Sequence, residues 1–449
     1  MTKASRKKKI IIAIAAIALI AALTSGILLG IYFGTRKDAL DYSELKVIRL
    51  DEKYTSVVNK AYYYLGHPDL VETADGTLIT AYPAGHGVGA ILMQKSSDYG
   101  ESWEGVAYED KPASWEDSQE TPTLYRLDMT DGSSKLLLVS GCPSWSEDDE
   151  YYANGFNCSV SSDDGKTWTE FENFYGVEWA QSAPKRDDNA VYTDAEKELL
   201  PNYDEAGNVL PYDVIVAMSS LTRLKENGVY VDKWMGTFHD YDFHNYCSIL
   251  TFDASGEPVW SAPRKFLMPQ RAAEESAAVC EIEIFRAPSG NLILIGRANA
   301  RNSNSLISVS TDEGATWSTF RELPNSLTGD RHKAEYDDVS GKLLISFRYV
   351  LPGMKSSAFA KENYLGGYWC AWIGDAEDLE AYALGADVTP GDALVVLGAT
   401  NDGKADCGYS GTVCRDGVFV LQSYGKFSKG AKYPYIMQAK FSLADIGLA

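Results

Sequence analysis

The side chains best suited to acid–base chemistry in this chain are its five histidines, and all of them stand at the ends of predicted hairpins. An imidazole has an ordinary pKa of about 6.5, so it can donate or accept a proton near neutral pH. A lone histidine is more often structural than catalytic, but five at similar positions favour a functional subset. They are His67 in GHPD, His86 in GHG, His239 and His244 in FHDYDFH, and His332 in GDRH.

Two arginines are suited to binding an anion. Arg297 ends an apolar segment, and Arg331 lies in the polar cluster GDRH. The planar guanidinium donates two parallel hydrogen bonds and can therefore hold a carboxylate in a bidentate manner. The competing interpretation, strongest for Arg331, is that the side chain pairs with loop acids of an acidic protein.

One eight-residue phrase recurs in three distant parts of the chain: SSDYGESW at 96–103, SSDDGKTW at 161–168 and STDEGATW at 310–317. In this phrase the Asp can bond backbone amides of a tight turn, the Gly permits a positive φ, and the Trp can anchor the turn on a sheet. The phrase therefore predicts a structural turn rather than a catalytic element.

The elements that must position these residues are β-hairpins, since no long amphipathic helix interrupts the apolar segments. Repeated small antiparallel sheets are typical of a β-propeller, in which radial packing buries both faces of each blade. The sequence thus predicts an all-β, six-bladed propeller, with residues 45–50 and 435–443 completing one blade together. The six hairpin signals lie at 68–82, 122–141, 212–238, 282–297, 332–348 and 409–424.

The N-terminus differs from the rest of the chain. A basic stretch, RKKK at 6–9, precedes an uncharged segment from Ile10 to Gly34 that is long enough to cross a bilayer as one helix. We expect a retained signal anchor with a cytoplasmic N-terminus and an extracellular propeller on the cell membrane; a cleaved leader is the alternative. The predicted division is 1–36 stub and anchor, 37–55 linker and first strand, and 56–449 propeller.

The composition excludes some partners. The formal net charge of −22 argues against nucleic acid, because phosphate binding needs dense Lys and Arg. The seven cysteines form no CxxC pair, so they predict no zinc site. No metal or cofactor is predicted, and the expected partner is a glycan.

The three phrases resemble the Asp-box signature of the sialidase (neuraminidase) superfamily, whose members are six-bladed propellers. The resemblance runs from about Tyr62 to Tyr424. Glu281 and Arg297 flank EIEIFRAPSGNLILIGR, and Tyr409 lies in DCGYSGTVCRDGVFVLQSY, in the family's pattern. The resemblance implies Tyr409 as a nucleophile, Glu281 as its base and Arg297 as a clamp for a substrate carboxylate.

Two positions depart from the family pattern. Gly66 stands where the family has its first triad arginine, and AGHGVGA with His86 replaces the acid/base Asp. His86 is therefore the predicted acid/base, with Asp69, Asp240 and Asp242 as alternatives. No arginine stands plainly at the third triad position, for which Arg301, Arg331 and Arg348 are open choices. The predicted substrate-binding residues are Arg297, Arg331, His67, Arg348, His239, Asp240 and His332.

The resemblance implies an exo-acting glycoside hydrolase that removes a terminal acidic sugar, sialic acid or similar, from extracellular glycans. A tyrosine nucleophile suits this substrate, because a carboxylate would be repelled by the sugar's own charge. One alternative is a polysaccharide lyase on uronate glycans, with His86 or His67 and Tyr409 as base and acid. A non-catalytic glycan-binding propeller is the other.

Overall fold

The computed structural model describes residues 45–86, 89–117, 121–141, 144–145, 151–152, 154–193, 200–266, 276–352, 367–404 and 406–448. Its internal contacts divide the chain into Met1–Val47 and Ile48–Ala449, and the second unit holds the propeller. The predicted membrane helix, Ile10–Gly34, lies outside the described residues. Within the described ranges, no helix has the length and apolar character needed to span a bilayer.

Six antiparallel sheets follow one another along the chain, and each begins with its innermost strand. The innermost strands of successive sheets contact one another, and the sixth contacts the first, so the sheets form a closed ring. This is a six-bladed β-propeller, and the all-β prediction is confirmed. Each hairpin predicted from the sequence supplies the first two strands of one blade.

The first three blades are bounded as follows, from the inner to the outer strand. Blade one comprises Asp69–Glu72, Leu78–Pro83, Ile91–Ser96 and Glu104–Gly105. Blade two comprises Thr123–Asp128, Ser134–Gly141, Phe156–Ser161 and Glu172–Phe174. Blade three comprises Ile215–Glu226, Val229–His239, Asn245–Phe252 and Pro258–Trp260, and Arg264–Lys265 also pairs with its third strand.

The last three blades follow the same order. Blade four comprises Val279–Arg286, Leu292–Ala298, Leu306–Ser310 and Arg321–Glu322. Blade five comprises Gly329–Tyr336, Leu343–Tyr349, Tyr368–Gly374 and Ala393–Ala399, with Lys46–Arg49 at its outer edge. Blade six comprises Ser410–Arg415, Val418–Gly425, Tyr435–Ser442 and Thr55–Asn59.

Shorter elements decorate the blades. A two-stranded hairpin pairs Ser144–Trp145 with Tyr151–Tyr152. The two α-helices in the described part of the chain are Val177–Ser182 and Ala376–Ala383. The 3₁₀ turns are Glu52–Tyr54, Tyr108–Asp110, Ala113–Asp117, Asn325–Leu327 and Ala444–Ile446.

The hydrophobic core lies between the blades. Phe156 of blade two and Trp260 of blade three meet edge to face, with 5.3 Å between ring centroids, in the cluster that joins these blades. All six residues of Leu78–Pro83 are buried, because both faces of a blade pack against neighbours. This packing explains why the second strand of blade one, LITAYP, is rich in apolar residues along its whole length.

The three repeated phrases share one geometry, here given for 161–168. The Asp163 carboxylate accepts the Thr167 N–H at 2.9 Å and the Thr167 hydroxyl at 2.6 Å, and Ser161 Oγ accepts the Gly165 N–H at 2.9 Å. Gly165 has a φ of +73°, which glycine adopts at low cost. The other copies repeat these bonds, so the phrase is a structural turn, as predicted.

The ring closes by pairing an early strand with the last one. Thr55–Asn59 runs antiparallel to Tyr435–Ser442, with Thr55 opposite Ala439. The prediction that residues 45–50 occupy this position was wrong, because Lys46–Arg49 belongs to the sheet of blade five. Lys46–Arg49 and Thr55–Asn59 are both short and rich in strand-forming residues. Their sequences therefore do not show which sheet each one joins.

We expect Asp163→Ala to lower the free energy of unfolding by about 2 kcal/mol, because the variant loses charge-assisted bonds that hold its turn. Urea denaturation followed by tryptophan fluorescence measures this change. Asp387→Ala, at an exposed position, is the matched control and should stay within about 0.5 kcal/mol of the parent protein. Equal effects of the two substitutions would contradict the structural role.

Candidate active site

Three successive innermost strands have a residue with a strained, positive φ near their start. Val216, Glu281 and Arg331, in blades three, four and five, have φ values of +50°, +48° and +51°. In each strand, the pairing with the second strand shifts register around this residue. Such bulges change the direction of a side chain, and a positive φ is costly for these residue types. His67, which precedes blade one, shares the feature with φ +47°.

A cavity of about 640 Å³ is lined by three of these strained residues, His67, Val216 and Glu281, and its volume is within the range of ordinary ligand sites. Blades one, three, four and five contribute to its wall, together with the segments that precede blades one and six. The lining residues are Tyr64, His67, His86, Ile215, Val216, His239, Phe243, Cys280, Glu281, Arg297, Asn299, Arg348, Lys404, Asp406 and Tyr409.

Three predicted residues meet in this cavity. Tyr409 donates a 2.5 Å hydrogen bond to Glu281 Oε1. Arg297 Nη1 lies 2.9 Å from the Tyr409 hydroxyl oxygen and 2.9 Å from Glu281 Oε2. Glu281 and Arg297 come from the paired first and second strands of blade four, where Cys280 lies opposite Arg297. The structure thus brings together residues that are 112 and 128 positions from Tyr409 in the chain.

The surroundings set the protonation of this trio. Burial and the charge of Glu281 raise the pKa of the Tyr409 phenol above its ordinary value, against the opposing effects of Arg348 and Arg297. Burial would also raise the pKa of Glu281, but the positive charges of Arg297 and Arg331 and the hydrogen bond from Tyr409 together outweigh it, and the pKa is lowered. Tyr409 is therefore a neutral phenol whose proton points at a carboxylate, the arrangement of a nucleophile and its base.

A single buried acid holds the arginines behind the cavity. Asp330 Oδ1 lies 2.5 Å from Arg301 Nη1 and 3.1 Å from Arg297 Nε, and Oδ2 lies 3.0 Å from Arg348 Nε. Burial favours the neutral acid, but the three guanidiniums outweigh it and hold the pKa of Asp330 well below its ordinary value. Asp330 is thus an anion that places Arg297 and Arg348 on the wall.

Four further predicted residues line the same cavity. The His67 ring packs 4.8 Å from the ring of His86 and 5.1 Å from that of Tyr409, centroid to centroid. The guanidinium carbon of Arg348 lies 4.4 Å from the Tyr409 ring centroid. His239 Nδ1 lies 2.9 Å from the Asp240 carbonyl oxygen, to which it can only donate. Burial lowers the pKa of all three imidazoles, so they are predominantly neutral at pH 7.

The structure places the other three predicted residues outside this lining. Arg331 Nη2 donates to Thr123 Oγ1 at 3.1 Å, from blade five to the innermost strand of blade two. His332 Nε2 lies 3.2 Å from the Leu327 carbonyl oxygen, and its ring stacks on a phenylalanine. Asp240 accepts the His244 N–H at 2.8 Å and caps a turn. The contacts of Arg331 with blade two and of His332 with the Leu327 carbonyl and Phe347 occupy these two side chains, and local turn bonding occupies Asp240.

Sequence reasoning missed several lining residues, Tyr64 and Asp406 above all. Tyr64 donates a 2.7 Å hydrogen bond to Asp406 Oδ1, and its hydroxyl oxygen lies 3.1 Å from His86 Nδ1. Tyr64 stands three residues before His67, and Asp406 three before Tyr409. This closeness to residues already singled out was the only signal for them in the sequence.

The fold defines a class of protein before any relative is considered: a six-bladed propeller with a polar cavity beside the ring of innermost strands. A scan against protein-family models finds none that matches, and a search of curated proteins finds no match.

Solved structures share this fold. A protein of unknown function from Dyadobacter fermentans aligns with a TM-score of 0.56 and 16% identity over 86% of this chain and 97% of its own. The α-L-arabinofuranosidase of Fusarium graminearum, solved with arabinobiose, aligns at 0.54 and 12% over 88% and 99%. A Hadza microbial sialidase aligns at 0.50 and 16% over 87% and 69%. The resemblance to the sialidase propeller is thus confirmed at the level of the fold.

We expect Asp330→Asn to destabilise the protein by about 3–5 kcal/mol, because it leaves three clustered guanidiniums without their buried counter-charge. The pKa of Asp330 is lower in the folded than in the unfolded protein, so its carboxylate stabilises the fold above the unfolded value of about 3.9. That contribution is lost as the pH falls below this value.

Denaturation midpoints measured from pH 7 down to pH 3 test this expectation. The gap between Asp330→Asn and the parent protein should narrow toward the acid end, and the exposed Asp387→Asn should show no gap. A gap that is constant with pH would refute the electrostatic explanation.

Proposed function

We propose that this protein is an exo-acting glycoside hydrolase of the sialidase type, which releases a terminal acidic sugar from glycans. The observation that carries the proposal is the contact of Tyr409 with both Glu281 and Arg297 in the wall of one cavity. A buried, neutral phenol beside a buried carboxylate is costly to assemble, and the pair has the geometry of an activated nucleophile.

In the proposed reaction, the Tyr409 oxygen attacks the anomeric carbon while its proton passes to Glu281. The bond between that carbon and the leaving oxygen breaks through an oxocarbenium-like transition state, and a covalent glycosyl-tyrosine forms. Arg297 Nη1 lies 2.9 Å from the phenol oxygen and stabilises the negative charge that develops there. The leaving oxygen takes its proton from His86, the predicted acid/base. Water then cleaves the intermediate and gives one proton back to His86, while the proton on Glu281 returns to Tyr409.

The proposed substrate is anionic for two reasons. A phenol nucleophile avoids the repulsion that a carboxylate would feel beside a sugar acid. The lining also carries Arg297, Arg348 and Lys404 against the acids Glu281 and Asp406. The basic, apolar N-terminus supports the further proposal that the propeller acts outside the cell while attached to the membrane.

One observation favours a second candidate, elimination from a uronate polysaccharide. His86 lies 3.1 Å from the Tyr64 hydroxyl, and burial lowers its pKa, so a neutral imidazole is present to remove a proton. The mass of the product separates the two reactions, because hydrolysis adds one water to the products and elimination adds none.

We expect Tyr409→Phe to reduce kcat/KM on 4-nitrophenyl α-sialoside by at least about 10³-fold, since the nucleophile is lost. Glu281→Gln should lose roughly 10²–10⁴-fold through loss of the base. Release of nitrophenol and product masses are the measurements.

Tyr62→Phe is the matched control, because Tyr62 is 97% exposed and lies outside the cavity lining. Full activity of Tyr409→Phe would exclude the proposed nucleophile. Binding of sialosides and uronates by the parent protein without turnover would instead support a non-catalytic propeller.

A further inference from the structure

Three segments that are distant in the sequence meet at one side of the cavity. Tyr64 precedes blade one, His86 follows the second strand of blade one, and Asp406 precedes blade six. Their side chains form a chain of contacts, from the Asp406 carboxylate through the Tyr64 hydroxyl to His86 Nδ1, with heavy-atom distances of 2.7 and 3.1 Å. The chain does not include the Tyr409–Glu281 pair.

We propose that Tyr64 and Asp406 are positioning residues that fix the tautomer of His86, so that His86 Nε2 exchanges the proton with the leaving group. This inference rests on the proposed hydrolase function and deepens it. It assigns roles to two residues, Tyr64 and Asp406, that the nucleophilic pair leaves unexplained.

The direction of the hydrogen bonds follows from the number of protons. Tyr64 has one hydroxyl proton, and the 2.7 Å contact directs it to Asp406. Toward His86 the hydroxyl oxygen can then only accept, so Nδ1 carries a proton. The neutral ring has one N–H, and its other nitrogen, Nε2, is therefore the one that takes up and releases a proton.

The hydroxyl of Tyr64 stays protonated throughout. Burial, followed by the charge and the hydrogen bond of Asp406, raises the pKa of this phenol far above its ordinary value. A phenol that holds its proton is a fixed connector rather than an acid in the reaction. Tyr64 therefore transmits the orientation set by Asp406 to the imidazole.

The charges around His86 act in opposite directions. Burial lowers the pKa of His86, the Asp406 carboxylate raises it, and the Arg348 guanidinium lowers it. The His67 ring is the other titratable group packed against it, 4.8 Å away, and burial keeps that ring neutral. Asp406 is thus the group that favours the imidazolium needed to protonate a leaving oxygen.

The proton balance of the two steps is complete. In the first step, Nε2–H of the imidazolium passes its proton to the glycosidic oxygen as the bond from that oxygen to the anomeric carbon breaks. In the second step, the neutral Nε2 takes a proton from water as the water oxygen bonds to the anomeric carbon and the bond to Tyr409 breaks. The imidazolium that begins the cycle is the minor form of His86 at pH 7, because burial lowers its pKa, and His86 ends each cycle in this starting form.

The kinetic test compares a good with a poor leaving group, 4-nitrophenyl α-sialoside and methyl α-sialoside. His86→Gln should lose roughly 10²–10⁴-fold in kcat/KM on the methyl glycoside and much less on the nitrophenyl glycoside, which needs no protonation. Tyr64→Phe and Asp406→Asn should show the same selectivity with a loss of roughly tenfold on the methyl glycoside.

The control variants are Tyr62→Phe and Asp387→Asn, which repeat the chemical changes at exposed positions outside the lining. Equal losses on both glycosides for Tyr64→Phe and Asp406→Asn would reduce these residues to a structural role and overturn the inference. Inactivity of the parent protein on both glycosides would overturn the proposed function together with the proton exchange assigned to His86.

A measurement that needs no substrate distinguishes failure of the positioning role from failure of the proposed hydrolase function. In ¹⁵N-histidine-labelled parent protein, the imidazole shifts of His86 should report a proton on Nδ1, and this preference should disappear in Tyr64→Phe. Asp406→Asn should lower the pKa of His86, because it removes the negative charge that favours the imidazolium. A proton on Nε2 in the neutral ring of the parent protein would refute the positioning role, whatever the substrate.

Discussion

The arrangement of the cavity depends on one buried acid among three arginines. Asp330 touches Arg297, Arg301 and Arg348, and it is 1% exposed. Guanidiniums that contact the same carboxylate repel one another in a medium of low dielectric constant. The buried anion between them offsets that repulsion. Because Arg297 in turn contacts Tyr409 and Glu281, Arg297 links the charge of Asp330 to the proposed catalytic pair.

The N–H groups of Arg297 are largely used inside the protein. Nη1 faces Tyr409 and Glu281, Nη2 donates to Asn299 Oδ1 at 2.6 Å, and Nε faces Asp330. A guanidinium in such a setting acts mainly on Tyr409 and Glu281, the proposed nucleophile and base. In the proposed reaction, Arg348 and Lys404, which line the same cavity, are then the main groups that would bind an anionic sugar. Arg297, which the resemblance implies is a clamp for a substrate carboxylate, also holds Tyr409 and Glu281 in place.

The propeller fold brings residues that are distant in the sequence close together. Each blade contributes the start of its innermost strand to one ring, and bulges at Val216 and Glu281 turn those starts toward the cavity. The strained φ values at these positions are maintained by the packed blades around them. The repeated Asp turns of blades one, two and four are held by bonds within each turn. They also bond neighbouring blades, as where Trp103 Nε1 donates to Gln438 Oε1 of blade six.

The sequence alone was sufficient for the hairpins and the blade number, because these depend on local patterns, and its resemblance to the sialidase family implied the trio Tyr409, Glu281 and Arg297. Strand alternation, the Gly turns and the Ser-x-Asp-x-Gly-x-x-Trp phrase all act over a few residues, and the trio stands at recognisable points in that pattern. The tertiary structure decided which early strand closes blade six, that Arg331 and His332 lie outside the lining while Arg348 lies within it, and that Tyr64 and Asp406 join the site. These outcomes depend on which sheet edge a strand meets and on which way a bulge turns a side chain. A change of one residue in register reverses that direction without altering the local pattern.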